Sequence, residues 1–281
     1  MATWVIAALT WRELVRRKLV LALLALSAIV IGVTGWGFSR VPNLHLNGHL
    51  LTQGEIHSAA AQLLLLVMFM FSFVLALTSA FLAAPAIAGE LESGVAQGLL
   101  ARPLRRRELV LGRWLGLSLT IAVYTLVSTT LEFILVNWTT GYLPPQPVAA
   151  EAALLVEGLI LLTFTLALST RISAITAGVI AVIAFGTMWL GGVAGAFGQV
   201  FHNAAISNVG VVTHFLLPTD GLWHAAVYAM EPPAFAAAAI HGLNSSFDSA
   251  SGPSAWYLVW VAVWLVAALG LGLVSFESRE A

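Results

Sequence analysis

Six long apolar stretches alternate with short polar segments along the chain, at about 19–38, 59–86, 115–137, 150–169, 172–197 and 256–276. Each can cross a hydrocarbon core of about 30 Å, which takes roughly 20 helical residues. The apolar residues run on without the alternation of a barrel strand. Backbone groups in lipid must be satisfied within their own segment, so each stretch predicts a helix. The expected fold is all-α: one polytopic transmembrane domain of six spans over residues 1–281.

Between and before the spans the pattern changes. Residues 3–18, TWVIAALTWRELVRRK, form a basic amphipathic segment. Trp4, Ala8, Trp11 and Val15 fall near one face, and Arg12, Arg16 and Lys18 can reach headgroups. An N-terminal interfacial helix over 1–18 is expected. It is read as a retained anchor, because GVTGWGFSR at the end of the first span offers no small-x-small cleavage site. The segment 198–255 contains apolar pieces too short to span, or broken by Pro232 and Pro233. These predict re-entrant or interfacial helices between spans five and six. The stretch GLNSSFDSASGPSA reads as a linker back to the membrane.

Charge sets the expected orientation. Eleven of the twelve Lys/Arg residues fall before span one, between spans two and three, between spans four and five, or after span six; only Arg40 lies on the other side. Basic residues accumulate in cytoplasmic loops, so both termini and the 89–114 segment are expected in the cytoplasm and 198–255 outside. Composition agrees with a bilayer setting: 60% of residues are hydrophobic, 9% are charged, and mean hydropathy is +0.95. The chain has no cysteine, which excludes disulfide scaffolds, thiol catalysis and cysteine zinc sites.

One segment is unusually polar for this setting. In GELESGVAQGLLARPLRRRELVLGRWLG, residues 89–116, the run LESGVAQGLLA can form a short helix presenting Leu91, Val95, Ala96 and Leu99 to a partner. Gly94 and Gly98 permit close approach, and Pro103 stops the helix before Arg105, Arg106 and Arg107. An ordinary basic loop explains the arginines but not the apolar stripe.

This segment resembles the loop between spans two and three of ABC-2 type transporter permeases, including the membrane subunits that serve nitrous-oxide reductase maturation and related exporters. The matching elements are Glu90, Glu92, Gly94, Pro103, the arginines at 105–107, and Gly112–Arg113 opening span three; FLLPTDGLW and the terminal FESRE extend the likeness. The resemblance implies a permease of an ATP-binding cassette exporter in a prokaryotic cytoplasmic membrane. It further implies two permease copies, identical or not, on two ATPase subunits that carry ATP and Mg. Glu90, Glu92, Gly94, Val95, Leu99, Arg102, Pro103 and Arg105 would then form the coupling helix and its flanks. The chain itself offers no GxxxxGK[ST] loop, its single lysine being Lys18, so it is not expected to be an enzyme.

Two acids lie inside spans, Glu132 and Glu157, at roughly 6–8 Å and roughly 10 Å from the outer surface by helical rise. Such residues usually face a cavity or a partner, so the two are the candidate substrate pathway. The alternative function is a proton-coupled secondary transporter using these carboxylates, although no internal repeat supports it. All seven histidines fall on the expected outer side, and His45, His49, Glu55 and His57 lie close in sequence without a recognised metal-binding spacing. No resident metal and no cofactor in this chain are expected.

Overall fold

The computed structural model describes residues 2–15, 18–46, 49–92, 105–232, 249 and 251–278. Gly94, Val95, Leu99, Arg102 and Pro103 lie outside the described residues. In chain order the helices are α1 (Ala2–Val15), α2 (Lys18–Arg40), α3 (Gln53–Ala83), α4 (Ala88–Glu92), α5 (Arg106–Thr140), α6 (Pro147–Ser169), α7 (Ala174–Val200), α8 (Ala204–Leu216), α9 (Thr219–Met230) and α10 (Ala255–Glu277). A two-residue antiparallel ladder, β1 (His45–Leu46) with β2 (His49–Leu50), precedes α3. Among the described residues, six helical segments are long and apolar enough to cross a membrane. The fold is a polytopic all-α bundle.

Two helices begin well before their apolar runs, and local capping explains both. Thr52 accepts from the Glu55 amide while the Glu55 carboxylate accepts from the Thr52 amide, so α3 starts at Gln53. At α5 the Glu108 carboxylate accepts from the Arg105 amide. Residues 106–114 are therefore the first turns of α5, not part of a loop. The helix runs on to Gly141, whose φ of 73° provides a left-handed C-cap. With 35 residues, α5 is about 52 Å long at helical rise, well beyond a hydrocarbon core. Along their helices Glu132 and Glu157 lie about 12 Å and 15 Å from the nearer ends of α5 and α6.

The centre of the bundle is α6, which packs against α3, α5, α7, α9 and α10. Its apolar window is 61% buried, against 11% for those at α2 and α10, which line the periphery. Aromatic rings join α3, α7 and α9: Phe69 lies 5.6 Å from Trp189 and 5.5 Å from Trp223, and Phe73 meets Phe185 edge-on at 5.3 Å.

The N-terminal helix is more than an anchor. Gly112 and Gly116, four apart on α5, lie against Thr3, Ile6, Ala7 and Thr10 of α1, so close that a Cβ on Gly116 would come within 2.8 Å of the Ala7 carbonyl. Ala7, Thr10 and Leu14 are buried there, while Trp4, Leu9 and Val15 remain exposed on the other side.

Between the last two long helices the chain folds back into the bundle. α8 runs antiparallel to α7, with Gly198 against Ser207, Gly195 against Gly210 and Gly191 against Thr213. The chain breaks at Leu217–Pro218 and returns as α9. That helix ends beside the α5–α6 loop, where the Gln146 amide donates to the Ala229 carbonyl at 3.0 Å and the Tyr142 hydroxyl donates to the Met230 carbonyl.

Candidate functional site

At the end of the bundle bearing the arginines, side chains fasten both flanks of residues 93–104. On the near flank, Glu90 of α4 is ion-paired with Arg113 of α5. Arg113 also donates to Glu13 at 3.0 Å and to Thr10 at 3.1 Å, both on α1. Glu92 accepts from the Ala174 amide at 3.0 Å, an N–H in the first turn of α7 that has no partner within its own helix. On the far flank, Arg105 caps α5. The next two arginines reach α10: Arg106 donates to the Glu277 carbonyl at 3.4 Å, and Arg107 forms a two-pronged pair with the Glu277 carboxylate. Arg171, just before α7, donates to Ser275 at 2.7 Å. The described flanks are thus tied to α1, α5, α7 and α10.

Within the bundle the two acids occupy separate places. Glu132 lines a cavity of about 300 Å³ between α2, α3 and α5. Its walls are almost wholly apolar; the polar atoms come from Ser27, Thr34, Tyr124, Ser128 and Glu132. Thr34 donates to Glu132 Oε2 at 3.1 Å, while Oε1 has no hydrogen-bond partner among the described residues. Ser27 and Tyr124 are paired at 3.0 Å in the same wall. Glu157 does not line that cavity. It is packed between α3 and α6, where Ser72 donates to its Oε1 at 2.7 Å. Of the expected pair, Glu132 alone is among the residues lining this cavity.

The histidines divide likewise. His57 sits beside Gln53, at 2.9 Å, and beside the Tyr142 ring. Glu55 is engaged in the α3 cap, and His49 bonds the Leu50 carbonyl at 2.9 Å. Among the described residues no group of three or more His, Asp or Glu is placed to hold a metal ion. His241 lies outside the described residues. A polar cluster that sequence reasoning missed sits at the hairpin break: His214 and His224 flank Asp220, with Nδ1 atoms 3.8 and 3.7 Å from its carboxylate. The signal was present in FLLPTDGLWH, where an Asp follows a Pro within an apolar run.

At the far end of α9, Tyr142 is buried on its Met230 hydrogen bond. Burial, with the nearby Glu231 charge, pushes its phenol well above the ordinary tyrosine range.

Among the described residues, six membrane-length helices, a short helix paired back into them and a charged clasp at one end make up a polytopic membrane protein. The family model described as ABC-2 family transporter protein matches residues 4–281, so the chain belongs to that family and is an ABC transporter permease. A comparison with curated proteins finds none that matches.

Proposed function

We propose that this permease is the membrane half of an ATP-driven exporter, in which two six-span copies, identical or homologous, join two separate ATPase chains that hold ATP and Mg. The end bearing the arginines faces the cytoplasm of a prokaryotic cell, with both termini on that side of its cytoplasmic membrane. Residues 89–105 dock the ATPase, with Gly94, Val95, Leu99, Arg102 and Pro103 forming the coupling helix and its stop.

The observation that carries this reading is the fastening of both flanks of 93–104 to four helices. A displacement of the docking segment cannot be absorbed locally; it passes into α1, α5, α7 and α10 together. Glu132, on the wall of that cavity with one carboxyl oxygen lacking a hydrogen-bond partner among the described residues, is the bundle's contact with cargo. The α8–α9 hairpin supports a closure of the pathway at the outer end.

The test is co-purification of permease with ATPase, followed by ATP hydrolysis of the complex, for the Glu90→Ala, Leu99→Ala double variant. The variant permease should reach the membrane in normal amount while complex recovery and permease-dependent hydrolysis fall. Truncating a buried Leu anchor costs about 2 kcal/mol or more at an interface. Normal recovery and normal hydrolysis would return the segment to an ordinary basic loop.

A further inference from the structure

The polar cluster at the hairpin break lines a second cavity, of about 570 Å³, bordered by α7, α8, α9, Ser249, residues 251–254 and the start of α10. Asp220 lies on its wall with only 6% of its side chain exposed. The carboxylate rests directly on the bare backbone of Gly192, where a Cβ would overlap it. Taking a carboxylate out of water is strongly unfavourable unless donors or a cation replace the lost hydration.

Among the described residues no side chain donates a hydrogen bond to this carboxylate, and the basic groups nearest it are the imidazoles of His214 and His224, at 3.8 and 3.7 Å. The Nδ1 of His224 is 2.9 Å from the Asp220 backbone carbonyl, so its proton is directed to that oxygen and not to the carboxylate. The Nδ1 of His214 is 3.8 Å away, beyond hydrogen-bonding distance. The Tyr257 hydroxyl donates to the Pro218 carbonyl at 3.1 Å. No Lys or Arg occurs anywhere between Arg171 and Arg279, so this whole stretch of chain carries no permanent side-chain cation.

The rest of the wall fits a cation with an organic body. The Tyr257, His214 and Phe215 rings cluster on one side, Tyr257 and His214 with centroids 4.3 Å apart, and aromatic faces attract ammonium groups. Gln199, Ser207 and Ser254 also line the cavity and add polar atoms to it. The volume suits a small molecule rather than a bare ion.

We propose that this cavity binds an organic ammonium group, with Asp220 as its counter-ion and the Tyr257–Phe215 side as its aromatic wall. The site lies on the hairpin, apart from the Glu132 cavity and from the ATPase clasp, and its occupancy does not depend on the transport reading.

The full-length permease, in lipid nanodiscs, is titrated with radiolabelled benzyltrimethylammonium by equilibrium dialysis, with empty nanodiscs subtracted. Competition by neopentylbenzene, its uncharged carbon isostere, and by benzenesulfonate measures what the charge contributes. Saturable binding is expected, with both competitors at least about tenfold weaker and affinity falling by at least about tenfold in Asp220→Asn, as for loss of one partner of a buried charge pair. Should Asp220→Asn fail to fold, the native protein decides: a hydrophobic carbodiimide should modify Asp220, and the ammonium probe should protect it in peptide mapping. Equal competition by the neutral isostere, undiminished binding to folded Asp220→Asn, or no protection of Asp220 overturns the assignment.

Discussion

Trp264 of α10 donates its indole N–H to the backbone carbonyl of Leu216, the last residue of α8, across 2.9 Å. Four residues earlier Trp260 does the same for Phe215 at 3.1 Å, and Tyr257 does so for Pro218. A helix end leaves its last carbonyls without partners in their own helix, and lipid supplies none. The three rings lie on one face of α10 and close that end. Replacing both tryptophans with Phe keeps the rings and removes the donors. Thermal unfolding of the purified permease should show a loss of about 1–3 kcal/mol per site, and a lone cysteine placed at Leu216 should become more reactive to a membrane-impermeant reagent. The native chain has no cysteine, so that labelling is unambiguous.

Glycines on α2 and α5 make a matched pair. Around Gly37 a Cβ would meet nothing within 4 Å, whereas at Gly116 it would lie 2.6 Å from the Thr10 Cβ. Gly116→Ala should lower stability by about 1–3 kcal/mol by forcing α1 away from α5. Gly37→Ala should leave it unchanged or raise it, by up to about 1 kcal/mol, since Ala is the better helix former. Equal unfolding midpoints for the two variants would refute the close packing of α1.

The ion pair between Glu90 and Arg113 joins α4 to α5. Glu90→Arg and Arg113→Glu should each reduce recovery of the ATPase complex. Their combination should recover part of the loss, with an interaction energy of about 0.5–3 kcal/mol in a double-mutant cycle. Recovery is only partial because Arg113→Glu also faces Glu13. Strictly additive losses would mean that the pair does not join docking to α5.

Only one of the two intramembrane acids should matter for cargo. Glu132→Gln changes the polar end of an open cavity and should alter transport while leaving the fold intact. Glu157→Gln keeps an oxygen for Ser72 to donate to and should leave transport near normal. Transport measured in vesicles for both variants tests this; the reverse pattern would place the pathway between α3 and α6.

Tyr142 supplies an alkaline dependence. Its phenol is raised in the folded state by burial and by Glu231, so folding favours the neutral form. That contribution is complete below the unfolded tyrosine value of about 10 and is lost as pH rises from there through the folded value. Unfolding midpoints of native protein and Tyr142→Phe, followed from pH 8 to 11, should converge at the alkaline end. Below pH 10 the Phe variant should be less stable by about 1–3 kcal/mol, because the buried Met230 carbonyl loses its donor.

The number and type of spans were legible in the sequence because the requirement is local. A helix crossing lipid must carry its own apolar length and satisfy its own backbone, so α2, α3, α5, α6, α7 and α10 each announce themselves. The polar segment before span three and the broken apolar pieces after span five stood out for the same reason. What packing alone decided lies between residues far apart in the chain. The sequence shows Gly112 and Gly116 but not that α1 covers them; it shows Glu92 but not the Ala174 amide 82 positions away. It also presented Glu132 and Glu157 as alike, although α2 leaves a cavity beside one and α3 covers the other. Asp220 acquires its chemistry only when α8 folds back on α7 and brings His214 beside it. Hydropathy is a property of each segment by itself, whereas a carboxylate's partners are set by which helix faces meet, and those depend on the packing of the whole bundle.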